Sequence, residues 1–249
     1  MNTRLRGLAR RLPARTGSGD AEASLPDGPQ EPIVSLTFDD GLASHRIAAE
    51  LLAARGLRGT FYVPSGLVGR EGRLGWDDLR ALVSQGHEIG GHTSSHSHLP
   101  ALTASDARRE IESDRLALLE RDLNPLTFAY PFGESSPDVE AIVRDVGYVA
   151  GRGIGGVVES LPPADPFRLR SPHSARSWTT SEQLAALALV GGHEAGWMIV
   201  PFHHLEAEGR VASSYTTDPS QFAEFLDWLV ARGVRVVSVR DVIAEVLPD

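Results

Sequence analysis

The sequence predicts an α/β barrel, and three observations carry that reading. Short β-rich runs alternate with helical patterns from Ile33 onward. Several helical runs stop at a glycine, and the polar side chains able to do chemistry recur where strands end. Eight strand-like and seven helix-like segments without a repeat period favour a closed barrel over an open sheet. In such barrels the reacting groups sit at the C-terminal ends of the strands.

The first strand is “IVSLTF” (33–38), followed by a helix over 44–56, where Ile47, Leu51 and Leu52 share one face and Gly56 ends the run. “TFYVP” (60–64) is the second strand, and “GWDDLRALVSQG” (75–86) the second helix, again closed by glycine. “HEIGG” (87–91) is a short third strand. The longest helix spans 103–123, opened by Thr103 and Asp106 in a weak form of the capping box. Strand “TFAYP”, helix 136–147 and a short strand at “YVAG” follow. The last part reads as strand “FRLRS”, helix 180–192, strand “WMIVPF”, helix 218–233, strand “VRVVSV” and a final helix over 240–247.

A chain of 249 residues, 41% hydrophobic, is long enough for one sizeable core. The net charge of -9 argues against a nucleic-acid surface, because little is available to neutralise a run of phosphates. There is no cysteine, so any metal must sit on histidine and carboxylate ligands. Residues 1–31 form a basic segment and linker: five arginines and no acid fall in the first fifteen residues, and a Gly-, Pro- and Ser-bearing stretch follows. Such a composition reads as a disordered tail, with weak contact to an anionic inner membrane leaflet as the sharper alternative. No apolar core follows the arginines as a secretory signal requires, so the expectation is a cytoplasmic protein. Residues 32–249 form the folded domain in this reading, and no stretch approaches ~20 apolar residues.

Two stretches draw attention within that domain. “FDDG” ends the first strand with adjacent carboxylates, Asp39 and Asp40, and “HTSSH” places His92 and His96 four apart after a glycine pair. Side chains one apart on a strand point to opposite faces, so the two acids share a site only if the strand ends there. Gly41 lets it end, freeing one acid to bind a metal and the other to address water. Two imidazoles and one carboxylate suit a divalent ion of the zinc type. Asp39, Asp40, His92, the “YPFG” turn and His203 all fall at strand ends, so they are expected to meet.

In order, “TFDDG”, “HTSSH”, “FAYPFG” and “PFHH” resemble the polysaccharide deacetylases, the NodB-homology domain of carbohydrate esterase family 4. The resemblance runs from about Ile33 to Val246 and implies a distorted (β/α)7 barrel. It implies hydrolysis of N-acetyl groups from amino sugars of a glycan or glycolipid. Asp39 is then the general base, and Asp40, His92 and His96 hold one divalent metal, Zn2+ foremost, with Co2+, Ni2+ or Mn2+ as options. The backbone amide of Phe132 is an oxyanion donor and His203 the general acid, with His204 in reserve. Tyr130 is a further candidate to reach the cleft through its hydroxyl.

Two departures stand out. Many members carry an arginine in the third motif that holds the base, and Ala129 occupies that place; Arg170 of “FRLRS” is the candidate substitute. The aspartate that partners the acid histidine has no counterpart in “DPFRLRSPHSARSW”. The “YPFG” form is similar to the branch acting on poly-N-acetylglucosamine. Deformylation or ring-amide opening at the same site, and a catalytically dead carbohydrate binder, are the alternatives. His45, His87, His98, His173 and His193 read as surface or core-edge residues, and Trp76 and Trp178 as packing or sugar-stacking aromatics.

Overall fold

The computed structural model describes residues 32–156, 158–172, 196–206 and 215–247. The expected helix 180–192, and with it His173, Trp178 and His193, lie outside the described residues. Among the described residues, seven parallel strands build the sheet: β1 (Ile33–Phe38), β2 (Thr60–Val63), β3 (Glu88–Gly91), β4 (Thr127–Ala129), β5 (Ala150–Arg152), β7 (Gly196–Phe202) and β10 (Arg235–Val236). The short β6 (Glu159–Ser160) runs antiparallel to β7, and β8 (His204–Leu205) pairs with β9 (Thr216–Thr217) outside the main sheet. The order is β5-β4-β3-β2-β1-β7-β6, with β10 on β1. Helices α1 (His45–Ala53), α2 (Trp76–Ser84), α3 (Ala104–Leu119), α4 (Pro137–Val146), α5 (Pro219–Ala231) and α6 (Val239–Val246) connect or flank the strands. None of the described helices is long and apolar enough to cross a membrane.

The sheet is strongly curled, and one contact demonstrates it. β5 and β1 are four strand spacings apart, about 19 Å if flat, yet Arg152 on β5 bonds Asp39 after β1 at 2.5 Å. The seam on the far side is closed by the stretch around Leu169. Its N–H donates to the Gly151 carbonyl, its carbonyl accepts from Gly153, and the Arg170 N–H donates to the β6 carboxylate Glu159. The expected strand “FRLRS” is therefore a single bridge after a short turn of 3-10 helix, because Pro166 removes a donor there. The molecule is a distorted (β/α)7 barrel.

Alternation along the strands separates two environments. Val34, Leu36 and Phe38 face outward and pack with Ala48 and Leu52 of α1, Phe222 and Leu226 of α5, and their neighbours. The other parity carries Ser35 and Thr37 on β1 and Asp39 just after it, Thr60 and Tyr62 on β2, Glu88 on β3 and Thr127 on β4, all buried. Polar groups so placed need partners. Glu88 accepts from Thr60 and Thr127 hydroxyls and from the Arg240 N–H at the start of α6, and Tyr62 shares a hydrogen bond with Thr127. Burial pushes the Glu88 carboxyl above its usual range, against these donors.

The glycine pair before “HTSSH” has a steric cause. A Cβ on Gly90 would lie 2.5 Å from the Tyr62 ring, and one on Gly91 would lie 2.0 Å from the Tyr148 hydroxyl. Gly91→Ala is therefore expected to cost about 1–3 kcal/mol by overpacking, lowering Tm by several degrees in thermal unfolding. An unchanged Tm would show that Tyr148 can swing aside.

Candidate active site

Residues at the C-terminal ends of the strands line one cavity of about 260 Å³, including Asp39, Asp40, His92, His96, Arg152 and His203. The backbone there departs from regular structure. Asp40, Thr93, His96 and Phe132 have positive φ, as does Gly41. Such conformations in non-glycine residues persist where the surroundings enforce them, and they cluster at functional sites. At Asp40 the turn reverses the chain, so neighbouring carboxylates reach the same cavity. Arg73 holds that turn by donating to the Asp40 carbonyl at 2.5 Å.

The ligating atoms of Asp40, His92 and His96 all lie within 4.8 Å of one another. Asp40 Oδ1 is 3.1 Å from His96 Nε2 and 3.5 Å from His92 Nε2. A tetrahedral ion with bonds near 2.1 Å separates its ligands by about 3.4 Å, so the three residues fit a divalent cation. Tautomer agrees as well. His92 Nδ1 lies 2.7 Å from the Ala129 carbonyl, which can only accept, so Nδ1 carries the proton and Nε2 offers its lone pair. Burial would raise the Asp40 carboxyl, but the His92 and His96 imidazoles set against it outweigh that and hold it well below the usual carboxylate range.

Asp114 on α3 fixes the chain before His92. Fully buried, it accepts from the His92 N–H at 3.0 Å and from the Ser65 N–H at 2.9 Å. The strand ends of β2 and β3 are thereby tied to one helix. Glu110, one turn earlier, accepts from Ser95 N–H and hydroxyl and so holds the loop between the two histidines.

Asp39 is 4% exposed, and Arg152 Nη2 donates to its Oδ1 at 2.5 Å. Burial pushes this carboxyl up, yet the Arg152 guanidinium, together with His203 and His92, outweighs it and keeps the pKa below the ordinary value. On the other side His203 Nε2 stands 4.0 Å from Asp39 Oδ2. Burial lowers the His203 pKa, partly opposed by Asp39 and Asp40. His203 also lies beside Tyr215, ring centroids 5.4 Å apart. Phe132 is exposed at the cavity rim, edge-on to His96 with centroids 4.8 Å apart.

Two expectations need correction. Arg170 does not orient Asp39: it follows the Leu169 bridge, points outward and pairs with Glu159 at 3.2 Å. Arg152, the inward residue of β5, takes that place. Tyr130 borders the cavity but its hydroxyl donates to the Phe167 carbonyl at 2.9 Å, because the ring is buried against Phe128. It therefore offers the cleft no hydroxyl. Trp76 packs at the core edge under the Arg121 guanidinium, 4.0 Å from its ring, with no part in the cavity lining. His98 pairs with Glu134 at 2.6 Å, and His87 accepts from the Gly59 N–H in the core. His204, the reserve acid, begins β8 and is absent from the described cavity lining.

Known proteins share this arrangement of elements. The family 4 carbohydrate esterase of Streptomyces lividans, in complex with acetate, matches with a TM-score of 0.58 at 19% identity, covering 83% of this chain and 91% of that one. A family 4 acetyl xylan esterase from Clostridium thermocellum, in complex with a cobalt ion, gives 0.61 at 22% identity, covering 86% and 91%. At such identities the likeness establishes the fold. A chitooligosaccharide deacetylase of Sinorhizobium fredii is 30% identical over 139 residues, 49% of this chain and 57% of that protein. A gellan lyase of a Bacillus species is 27% identical over 227 residues, 82% of this chain but 9% of that protein. The chain thus spans little over half of one curated relative and a small part of the other. The profile described as polysaccharide deacetylase matches residues 27–151, half of the sequence and both the acid pair and the histidine pair, and the chain belongs to that family.

Proposed function

We propose that this protein is a metal-dependent hydrolase that removes N-acetyl groups from amino sugars of a glycan or glycolipid. One observation carries the reading. A three-residue cation site, an arginine-held carboxylate and a half-buried histidine face one cavity, with the last two 4.0 Å apart. That is what amide hydrolysis needs: an electrophilic centre, a base for water and an acid for the departing amine. The amino-sugar substrate is favoured by the likeness to the chitooligosaccharide deacetylase. A cavity of about 260 Å³ lies below the ~300–1,000 Å³ of sites that engulf a ligand. It suits an acetamide arm, with the rest of the glycan outside.

A divalent cation held by Asp40, His92 and His96, zinc foremost, would supply Lewis-acid polarisation of the amide carbonyl and of the attacking water. Asp39 is ionised and takes the proton from water as its oxygen attacks the carbonyl carbon. The Phe132 backbone N–H is assigned to the developing oxyanion, where preorganised donors act most strongly. The C–N bond then breaks, His203 donates a proton to the amine nitrogen, and acetate and a free amino sugar leave.

The test is a panel of free, oligomeric and lipid-linked N-acetyl and N-formyl amino sugars with the Zn2+- or Co2+-reconstituted protein. Acetate release from N-acetyl sugars, lost on chelation and restored by metal, is the expected result. Tight metal binding without turnover on any member would leave a carbohydrate binder. Faster formate than acetate release would move the substrate to a formamide.

A further inference from the structure

His45 looks unremarkable in the sequence, as the first residue of an amphipathic helix. In the fold it is fully buried, with its ring edge-on to Phe38 at 5.6 Å. Its Nε2 lies 2.9 Å from the backbone carbonyl of His203. A carbonyl only accepts, so Nε2 carries the proton and donates. Burial holds the ring pKa down to about 4, which keeps the imidazole neutral and this tautomer available. Nδ1 has no partner among the described residues. An orphaned buried nitrogen is a cost that a phenylalanine in the same space would avoid. The bond to His203 is what the imidazole gains in return.

The neighbouring residue works on the same segment. Ser44 Oγ accepts from the Leu205 N–H at 3.2 Å, and it makes no side-chain cap to its own helix. The Asp39 N–H donates to the Phe202 carbonyl at 2.9 Å. Three ties therefore run from residues 39–45 to residues 202–205, bracketing His203 on both sides. The turn that carries the base and a metal ligand also grips the main chain of the histidine opposite.

We infer that His45, assisted by Ser44, is a positioning residue that fixes the His203 backbone, and so its imidazole, against the Asp39–Asp40 turn. The inference rests on the reading of His203 as the proton donor. A general acid must lie within hydrogen-bond reach of the leaving nitrogen, and a misplacement of about 1 Å can cost ~10²-fold. The loss should then fall on substrates whose leaving group needs a proton.

Four variants test this: His45→Phe, which keeps the ring and removes the donor; His45→Gln, whose amide N–H reaches a similar place; Ser44→Ala; and His203→Ala. Each is assayed on an N-acetylated chito-oligosaccharide and on p-nitrophenyl acetate, with bound zinc measured alongside. His45→Phe is expected to lower kcat on the amide by about 10–10²-fold with KM and zinc content little changed. The activated ester, whose phenolate leaves without a proton, should slow much less. His45→Gln should recover most of the loss, and Ser44→Ala should show a smaller loss of the same selectivity, readable even if His45→Phe does not fold. Equal losses on both substrates, or a His45→Gln variant no better than His45→Phe, would overturn the inference in favour of a packing role. If His203→Ala itself shows no amide-selective loss, the acid assignment fails and the inference falls with it. If His203→Ala is selective and neither His45→Phe nor Ser44→Ala is, the inference falls alone.

Discussion

Asp39→Asn is expected to retain the metal and lose ~10²–10⁴ of kcat, whereas Asp40→Ala should lose the metal itself. The adjacent side chains differ in what they touch. Asp39 is gripped by Arg152 and faces His203, while Asp40 lies against the two imidazoles. Asparagine keeps the shape and one acceptor for Arg152 but cannot take a proton from water. It also leaves a buried guanidinium without its counter-charge, and breaking such a pair costs about 3–5 kcal/mol. The Asp39→Asn protein should therefore melt earlier while still binding zinc, read by calorimetric titration. Asp40→Ala should show the reverse, with no measurable zinc binding and a smaller change in Tm. Retained turnover in Asp39→Asn would remove it as the base, and retained metal affinity in Asp40→Ala would undo the cation site.

Much of this site was legible in the sequence because each element announces itself locally. A strand ending in two acids and a glycine must turn there, and two histidines four apart after a glycine pair fall on one loop. The structure brings Asp40, His92 and His96 within reach of one ion, and places Asp39 and His203 on the same cavity. What escaped reading depends on distance along the chain. Arg152 sits in “VAGRG”, a three-residue strand with no periodicity, and its partner is 113 positions away. Arg170 lies in a more strand-like run, yet the proline before it and the single bridge at Leu169 turn it outward. His45 is hidden for a similar reason: its partner is 158 positions away, and a histidine opening a helix reads as surface. The polar parity of the strands does not by itself show that both faces are buried. Ser35, Thr37, Tyr62 and Glu88 alternate with apolar residues as on a half-exposed sheet, but both faces are buried because the sheet curls over them. A polar barrel interior is recognised only once the curl is known.

Replacing Arg152 should therefore be the most informative change that leaves every motif residue intact. Arg152 is 2% exposed, bonds Asp39 Oδ1 at 2.5 Å and lies over the Tyr62 ring, 5.3 Å from its centroid. Two consequences follow from removing its charge, as in Arg152→Met. Asp39 loses the hydrogen bond that aims it, a misplacement that can cost up to ~10²-fold in turnover. Asp39 also loses the foremost of the interactions that oppose burial, so its pKa rises and the acidic limb of the kcat/KM profile moves to higher pH. That limb belongs to the coupled site rather than to one group, so its direction of movement is the diagnostic. Arg152→Lys keeps a charge but not the planar guanidinium and should fall between the two. Arg170→Ala is the control. Its side chain is half exposed and pairs with Glu159 on the outer seam, so turnover and pH profile should stay close to those of the parent protein. If Arg170→Ala shifts the acidic limb and Arg152→Met does not, the base is held from the seam side, and the inward residue of β5 has only a packing role.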